Sequence, residues 1–204
     1  YKGEVFAAGE VLEQKGIPSI ELGPKEGLAL INGTQFIAAH GVLVLEKMQR
    51  CLSQADIIGA MMIEGLQGSV KPFHERLHEL RPFKGNQHVA QRVRNLLKGS
   101  EILEDHIDCE RVQDPYSLRC IPQVLGPVRD TVAFARGYIE RTLNDAIDNP
   151  LIFESDGKEP YLCISGGNFH GEGLAFMMDF LSIAMSEVAG ISERRVFALL
   201  TPAL

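Results

Sequence analysis

The sequence has 204 residues, 45% of them hydrophobic, enough to bury a sizeable core. Its formal charge of −7 is spread without a basic stretch or a block of like charges, which leaves nothing suited to a phosphate backbone, so no nucleic-acid partner is expected. Cys51, Cys109, Cys120 and Cys163 lie far apart and accompany no signal-peptide pattern, so reduced thiols in a cytoplasmic protein are expected.

No Met opens the chain and it stops within the apolar run VFALLTPAL, so we expect an excerpt of a longer polypeptide. No repeat, low-complexity tract or Ser-rich linker divides it, and a single unit over residues 1–204 is expected. The first 24 residues, with KGIPSIELGP, alternate apolar pieces with Gly and Pro and read as a connection. Residues 25–66 contain glycine but no proline, which predicts one long helix or two nearly collinear ones, and hence a bundle. Two stretches, GLALINGTQFIAAHGVLVL and GLAFMMDFLSIAMSEVAGI, approach the ~20 residues of a membrane span. Asn32, Gln35 and His40 in the first and Asp179 and Glu187 in the second are costly in hydrocarbon, so buried helices of a soluble bundle are expected rather than a membrane segment.

Between Pro72 and Pro82 the segment HERLH fits the His-Glu-x-x-His pattern, in which two histidines one turn apart hold zinc. The third His of the extended pattern is missing, and Glu101 or Glu104 would be a remote substitute. The better reading is the wet face of a short helix, with His74, Glu75, Arg76, His78 and Glu79 outward and Leu77 and Leu80 inward; no metal is expected. Asn86 to Lys98 forms a short amphipathic helix ended by KGS, and residues 99–114 look irregular and acidic.

In VQDPYSLRC, Asp114 is the expected N-cap and Pro115 the first helical position. Tyr116 and Arg119 then share one face of a turn. Arg119 either clamps a substrate carboxylate in two parallel hydrogen bonds or pairs with a protein carboxylate such as Asp114 or Asp130. From Val124, apolar residues at 128, 132, 135, 139 and 143 trace one helical face, with Pro127 kinking or tightening its first turn, and the helix ends at DNP. Asn144, Asp148 and Asn149 read as ordinary capping residues there. LIFESDGKEPYLCIS predicts a small hairpin or extended loop. SGGNFHGEG is either a tight turn or a close approach of backbone to a ligand, and a last long helix runs from about Gly171 to Leu200. In LALINGTQ, Asn32, Thr34 and Gln35 serve either a polar helix contact or a hydrogen bond into a cavity.

Taken in order, KEGLALINGTQ, VQDPYSLRC, DNPLIF, SGGNFHGEG and SERR resemble the histidine ammonia-lyases, in the family that also contains phenylalanine and tyrosine ammonia-lyases and aminomutases. The resemblance covers nearly the whole chain and leaves HERLH in an ordinary connecting region. It implies a mainly α fold, a long central helix bundle of the fumarase/aspartase-like type, assembled as a homotetramer whose active sites are shared between subunits. It also implies elimination of ammonia from L-histidine to give trans-urocanate, with a methylidene-imidazolone electrophile formed autocatalytically from Ala-Ser-Gly. By motif, Tyr116 is similar to the tyrosine that assists the electrophile's chemistry, and Arg119 to the group that binds the substrate carboxylate. Gln113 and Asn149 resemble polar contacts of the pocket, Asn32 the asparagine near electrophile and substrate, and Phe169 an aromatic wall. His170 and Glu172 after GGNF point to the histidine branch; a phenylalanine or tyrosine ammonia-lyase or aminomutase is the alternative. Ala-Ser-Gly occurs nowhere in these residues, so the chain alone is expected to be inactive. A reading of another class, an inactive helical scaffold, is disfavoured by the retention of Tyr116, Arg119 and Asn32.

Overall fold

A computed structural model describes residues 1–107, 111–155 and 157–201; Cys109 lies outside the described residues. Within them the chain is mainly helical with one two-stranded hairpin, in agreement with its patterning. It falls into two compact units, Tyr1–Gly33 with Ile147–Phe169 and Thr34–Ala146 with His170–Leu204.

The first unit holds α1 (Ala8–Gln14), in a segment expected to be only a connection, then α2 (Glu26–Ile31) and the hairpin. Its strands β1 (Leu151–Glu154) and β2 (Tyr161–Ile164) are antiparallel, with Leu151 opposite Ile164 and Glu154 opposite Tyr161. The continuous helix expected over 25–66 is interrupted. α2 stops at Asn32, which is extended (φ −97°, ψ 155°), and Gly33 takes φ +100°. Glycine enters that region without a side-chain clash, so Asn-Gly ends one helix and frees the next to start.

In the second unit, α3 (Gln35–Gly65), α8 (Ile121–Thr142) and α9 (Glu172–Leu200) carry most of the core. Each buries one stripe at helical spacing: Leu45, Met48 and Leu52 on α3, Val128, Val132, Ala135 and Ile139 on α8, and Leu174, Met177 and Leu181 on α9. The apolar face expected from Val124 is therefore present, except that Leu143 lies past the helix end and is exposed. Pro127 sits inside α8 rather than in its first turn, which Pro122 occupies.

The helix α5 (Lys84–Leu96) crosses α8 at glycines. A methyl group on Gly85 would stand 2.0 Å from the Gly126 carbonyl oxygen, and one on Gly126 would stand 2.6 Å from the Asn86 nitrogen. The two backbones therefore touch. Nearby, the fully buried Asp56 of α3 pairs with Arg92 of α5 at 2.9 Å and with Arg129 of α8. Burial pushes the Asp56 carboxyl up from its ordinary value, against the pull of the two guanidinium groups. Arg195 of α9 is also buried, and its guanidinium nitrogens make no hydrogen bond among the described residues.

The HERLH segment forms α4 (Glu75–Glu79), with His74, Glu75, Arg76 and Glu79 exposed as expected, but His78 and the two leucines exchange the places expected of them. His78 is buried and its Nε2 lies 3.1 Å from the Pro72 carbonyl oxygen, whereas Leu77 and Leu80 are 52% and 82% exposed. Phe73, buried in the preceding 3-10 turn, supplies the apolar anchor, and a carbonyl within reach lets the imidazole go inside. His74 caps the helix, its Nδ1 accepting from the Arg76 amide at 3.3 Å. A short helix, α6 (Glu101–Asp105), lies in the stretch expected to be irregular. The regions Glu26–Gly65 and Glu172–Leu200 are long and apolar enough to cross a membrane by length and composition, a test that core helices also pass.

Candidate functional site

The turn after Asp114 forms α7 (Tyr116–Arg119), with Pro115 rather than Asp114 at the capping position and no side-chain cap. The Asp114 carboxylate is buried and turned the other way. It accepts a hydrogen bond from the Ser69 amide at 2.6 Å and faces Arg111 at 3.5 Å. Its backbone carbonyl accepts from Arg119 Nε at 2.8 Å. An amide 45 residues upstream competes for the carboxylate that the sequence assigns to capping, and wins because the side chain is held inside.

Arg119 consequently pairs with backbone, not with a carboxylate; Asp130 instead accepts from the Gly85 amide at 2.9 Å. The Arg119 guanidinium lies 4.9 Å from the Tyr116 ring centroid. With Nε tied down and the plane steadied on an aromatic face, its two η nitrogens make no hydrogen bond among the described residues. They form a two-pronged donor suited to a carboxylate. Tyr116 is 72% exposed, so its phenol is accessible beside that cation. Gln113 is exposed and lines a cavity of about 170 Å³ with Gln67, Ser69, Lys71, His106 and Arg111.

A second cluster is built in the other unit around Asp148, at the end of the stretch that follows α8. Its Oδ1 accepts from Asn32 Nδ2 at 3.2 Å and from the Asn149 amide at 2.7 Å, while Lys25 donates to Oδ2. The hydrogen bond from Lys25, then the one from the Asn149 amide, holds the Asp148 carboxyl below its ordinary value. The Asn149 Oδ1 accepts from Ser165 Oγ at 3.0 Å and from the Gly166 amide at 2.8 Å. Asn149 thus links the DNP segment to SGGN, a contact that the capping read from local spacing does not include. Phe169 is 38% exposed at the end of the same unit. Nδ1 of His170 accepts from the Glu172 amide at 3.3 Å, at the start of α9.

Of the residues expected to act together, Tyr116 and Arg119 share one turn with Gln113 just before it, and Asn32 and Asn149 meet on one carboxylate. The two sets belong to different units. Lys25 and Asp148 are the residues that sequence reasoning left out of the site. Their only sequence signal is position, Lys25 opening KEGLALINGTQ and Asp148 preceding Asn149. Among the described residues, no three His, Cys, Asp or Glu side chains gather into a metal-ligand set.

The family model for aromatic amino acid lyases matches residues 1–204. The chain is 48% identical over its whole length to a histidine ammonia-lyase from Koribacter versatilis, covering 41% of that protein. It is similar to the crystal structure of histidine ammonia-lyase from Trypanosoma cruzi, with 43% identity, a TM-score of 0.83, and coverage of 97% of this chain and 35% of that one. A tyrosine aminomutase from Streptomyces globisporus superposes with a TM-score of 0.87 at 38% identity, over 100% of this chain and 41% of that one. The chain therefore spans about two fifths of the length of the first of these relatives.

Proposed function

Since the chain belongs to the aromatic amino acid lyase family over all 204 of its residues, we propose that the protein it is part of eliminates ammonia from L-histidine to give trans-urocanate. The observation that carries this reading is the turn on which Arg119 presents two η nitrogens, unengaged among the described residues, beside the exposed phenol of Tyr116. In it Arg119 grips the substrate carboxylate and fixes the β-carbon's position, and Tyr116 accepts or donates a proton at its phenolic oxygen. Asn32 and Asn149 supply neutral amide contacts, Gln113 a further polar one, and Phe169 an apolar wall.

The residues present fit a methylidene-imidazolone. With the Asn149 Oδ1 occupied by Ser165 and Gly166, its NH2, which makes no hydrogen bond among the described residues, is left as a donor for a carbonyl oxygen. When bound, that group supplies the electrophile that turns the amine into a better leaving group. Ala-Ser-Gly is absent from these 204 residues, so the chain alone is inactive in this proposal. Assembly as a cytoplasmic homotetramer with shared sites belongs to the same reading. Its assembly part is supported by apolar side chains left exposed on α9, among them Phe176, Phe180 and Ile183, which suit a subunit interface.

The test is a substrate panel on the full-length protein, following the ultraviolet absorbance of the conjugated acid product with L-histidine, L-tyrosine or L-phenylalanine. Product from histidine alone is expected. Product from tyrosine or phenylalanine would move the assignment toward the branch to which the aminomutase structure belongs, and no product from any would favour a scaffold.

A further inference from the structure

Asp114 faces two ways. Its buried carboxylate is held from two sides by the segment that ends α3: one oxygen accepts from the Ser69 amide at 2.6 Å, and the other lies 3.5 Å from Arg111 Nη1. That same nitrogen of Arg111 donates to the carbonyl of Leu66, the C-cap of α3, at 3.2 Å. The segment is itself fixed to the helix, since the Gly68 amide donates to the Ile63 carbonyl at 2.7 Å. On the other side, the Asp114 carbonyl accepts from Arg119 Nε at 2.8 Å. Proline at position 115 restricts the residue before it to extended backbone, so once the Asp114 side chain is docked its carbonyl has few directions left.

We propose that Asp114 is a positioning residue of the elimination site: its side chain moors the turn to the end of α3, and its carbonyl aims the Arg119 guanidinium at the substrate carboxylate. This rests on the lyase reading above and adds to it a residue whose carboxylate local spacing gives to capping. Two parallel hydrogen bonds to a carboxylate require the two planar groups to lie edge to edge, so the clamp depends on orientation as much as on charge. Both supports of the guanidinium, the Asp114 carbonyl and the Tyr116 ring 4.9 Å away, belong to the turn or adjoin it and move with it. They set the guanidinium's attitude on the turn; the docked carboxylate sets where the turn stands. Displacement of a substrate-holding group by about 1 Å is enough to cost a large factor in rate.

The experiment compares the full-length wild-type protein with Asp114→Ala and Asp114→Asn, each alone and combined with Arg119→Lys. It reads kcat and KM for L-histidine, competitive inhibition by urocanate and by its carboxamide, and the crystal structures at Arg119. Asp114→Ala should lower kcat/KM by about tenfold and weaken urocanate by a similar factor, with the carboxamide, which has no carboxylate to clamp, held within about twofold. A merely structural loss would weaken both inhibitors alike. In the Arg119→Lys background the two-pronged donor is gone, so Asp114→Ala should cost no more than about twofold. Asp114→Asn keeps an oxygen for the Ser69 amide but loses the charge opposite Arg111. It should show the same selective loss to a smaller degree, and it carries the test if the alanine variant does not fold. Equal weakening of acid and carboxamide, full additivity with Arg119→Lys, or a guanidinium in its wild-type place in the variant crystals would each overturn the inference. A wild-type protein inactive on all three amino acids would sink the lyase reading instead. The crystal structures would then still report on the mooring, and an unmoved guanidinium would overturn it by itself.

Discussion

Replacing Gly126 with alanine should push α5 and α8 apart. The new methyl would stand 2.6 Å from the Asn86 nitrogen and 2.8 Å from its Cα, with the Asn86 Oδ1 at 2.1 Å. Ordinary contact between such atoms is about 3.5–4.0 Å, so the backbones must separate by about 1 Å; the side-chain oxygen can turn away but the backbone atoms cannot. Overpacking of this kind costs about 1–3 kcal/mol, and alanine ahead of Pro127 is further disfavoured in helical conformation. The gain in helix propensity returns about 1 kcal/mol, so a net loss of about 2 kcal/mol is expected. Gly137 on the same helix is the internal control. Nothing lies within 4 Å of a methyl there, and its alanine variant should be stabilised by about 0.5–1 kcal/mol. Urea unfolding followed by far-ultraviolet circular dichroism should separate the two midpoints by the equivalent of about 3 kcal/mol. Gly85→Ala approaches the crossing from the other side without a proline, its methyl 2.0 Å from the Gly126 oxygen, and should also destabilise. Equal midpoints for Gly126→Ala and Gly137→Ala would refute the close crossing.

Arg119→Lys should lower kcat/KM by about 10- to 100-fold, because a point charge replaces a two-pronged donor; an unchanged value would show that no carboxylate is held there. His88 lies beside Arg129 and Arg92, and its imidazole is held below its ordinary value by burial first and by the Arg129 charge next, with Asp56 opposing. The unfolded chain then takes up this proton more readily than the folded one. The contribution of His88 is therefore complete above about pH 6.5 and lost as pH falls, and His88→Gln should flatten the decline in urea midpoint between pH 7.5 and 5.5. A decline of the same slope in the variant would assign it to other groups. Arg195→Met should leave stability unchanged or raise it, since the buried guanidinium has no hydrogen bond to lose among the described residues. A loss of about 3 kcal/mol or more would reveal a partner.

What was legible in the sequence is what periodicity controls. The stripe through Val128, Val132, Ala135 and Ile139 and the three-residue spacing of Tyr116 and Arg119 are local facts, and both hold in the structure. The hairpin was legible for the same reason, two short apolar runs separated by turn residues. Failures came where a polar side chain chose between partners near and far. The polarity of imidazole puts His78 in water, yet a carbonyl six residues back gives it a reason to be buried. Local spacing gives Asp114 to its own helix, and it serves Ser69 instead. Asn32 and Asp148 are separated by 116 residues, and nothing in either segment announces that one will hold the other. Hydrophobic spacing specifies the faces of a helix, but a carboxylate can be satisfied by any donor the fold delivers.

The path from Ser69 through Asp114 to Arg119 has a consequence for anyone altering this turn. Gly68 leaves only 3.4 Å between a would-be methyl and the Asp114 carboxylate, and 3.1 Å to Leu118 on α7 itself. The guanidinium's aim is therefore partly encoded at positions 68 and 69, in a loop with no chemistry of its own. A library meant to shift the clamp by fractions of an ångström while keeping its charge should begin in that loop rather than at the arginine. Substitutions there would act as a fine adjustment screw, and those at Arg119 as an on-off switch.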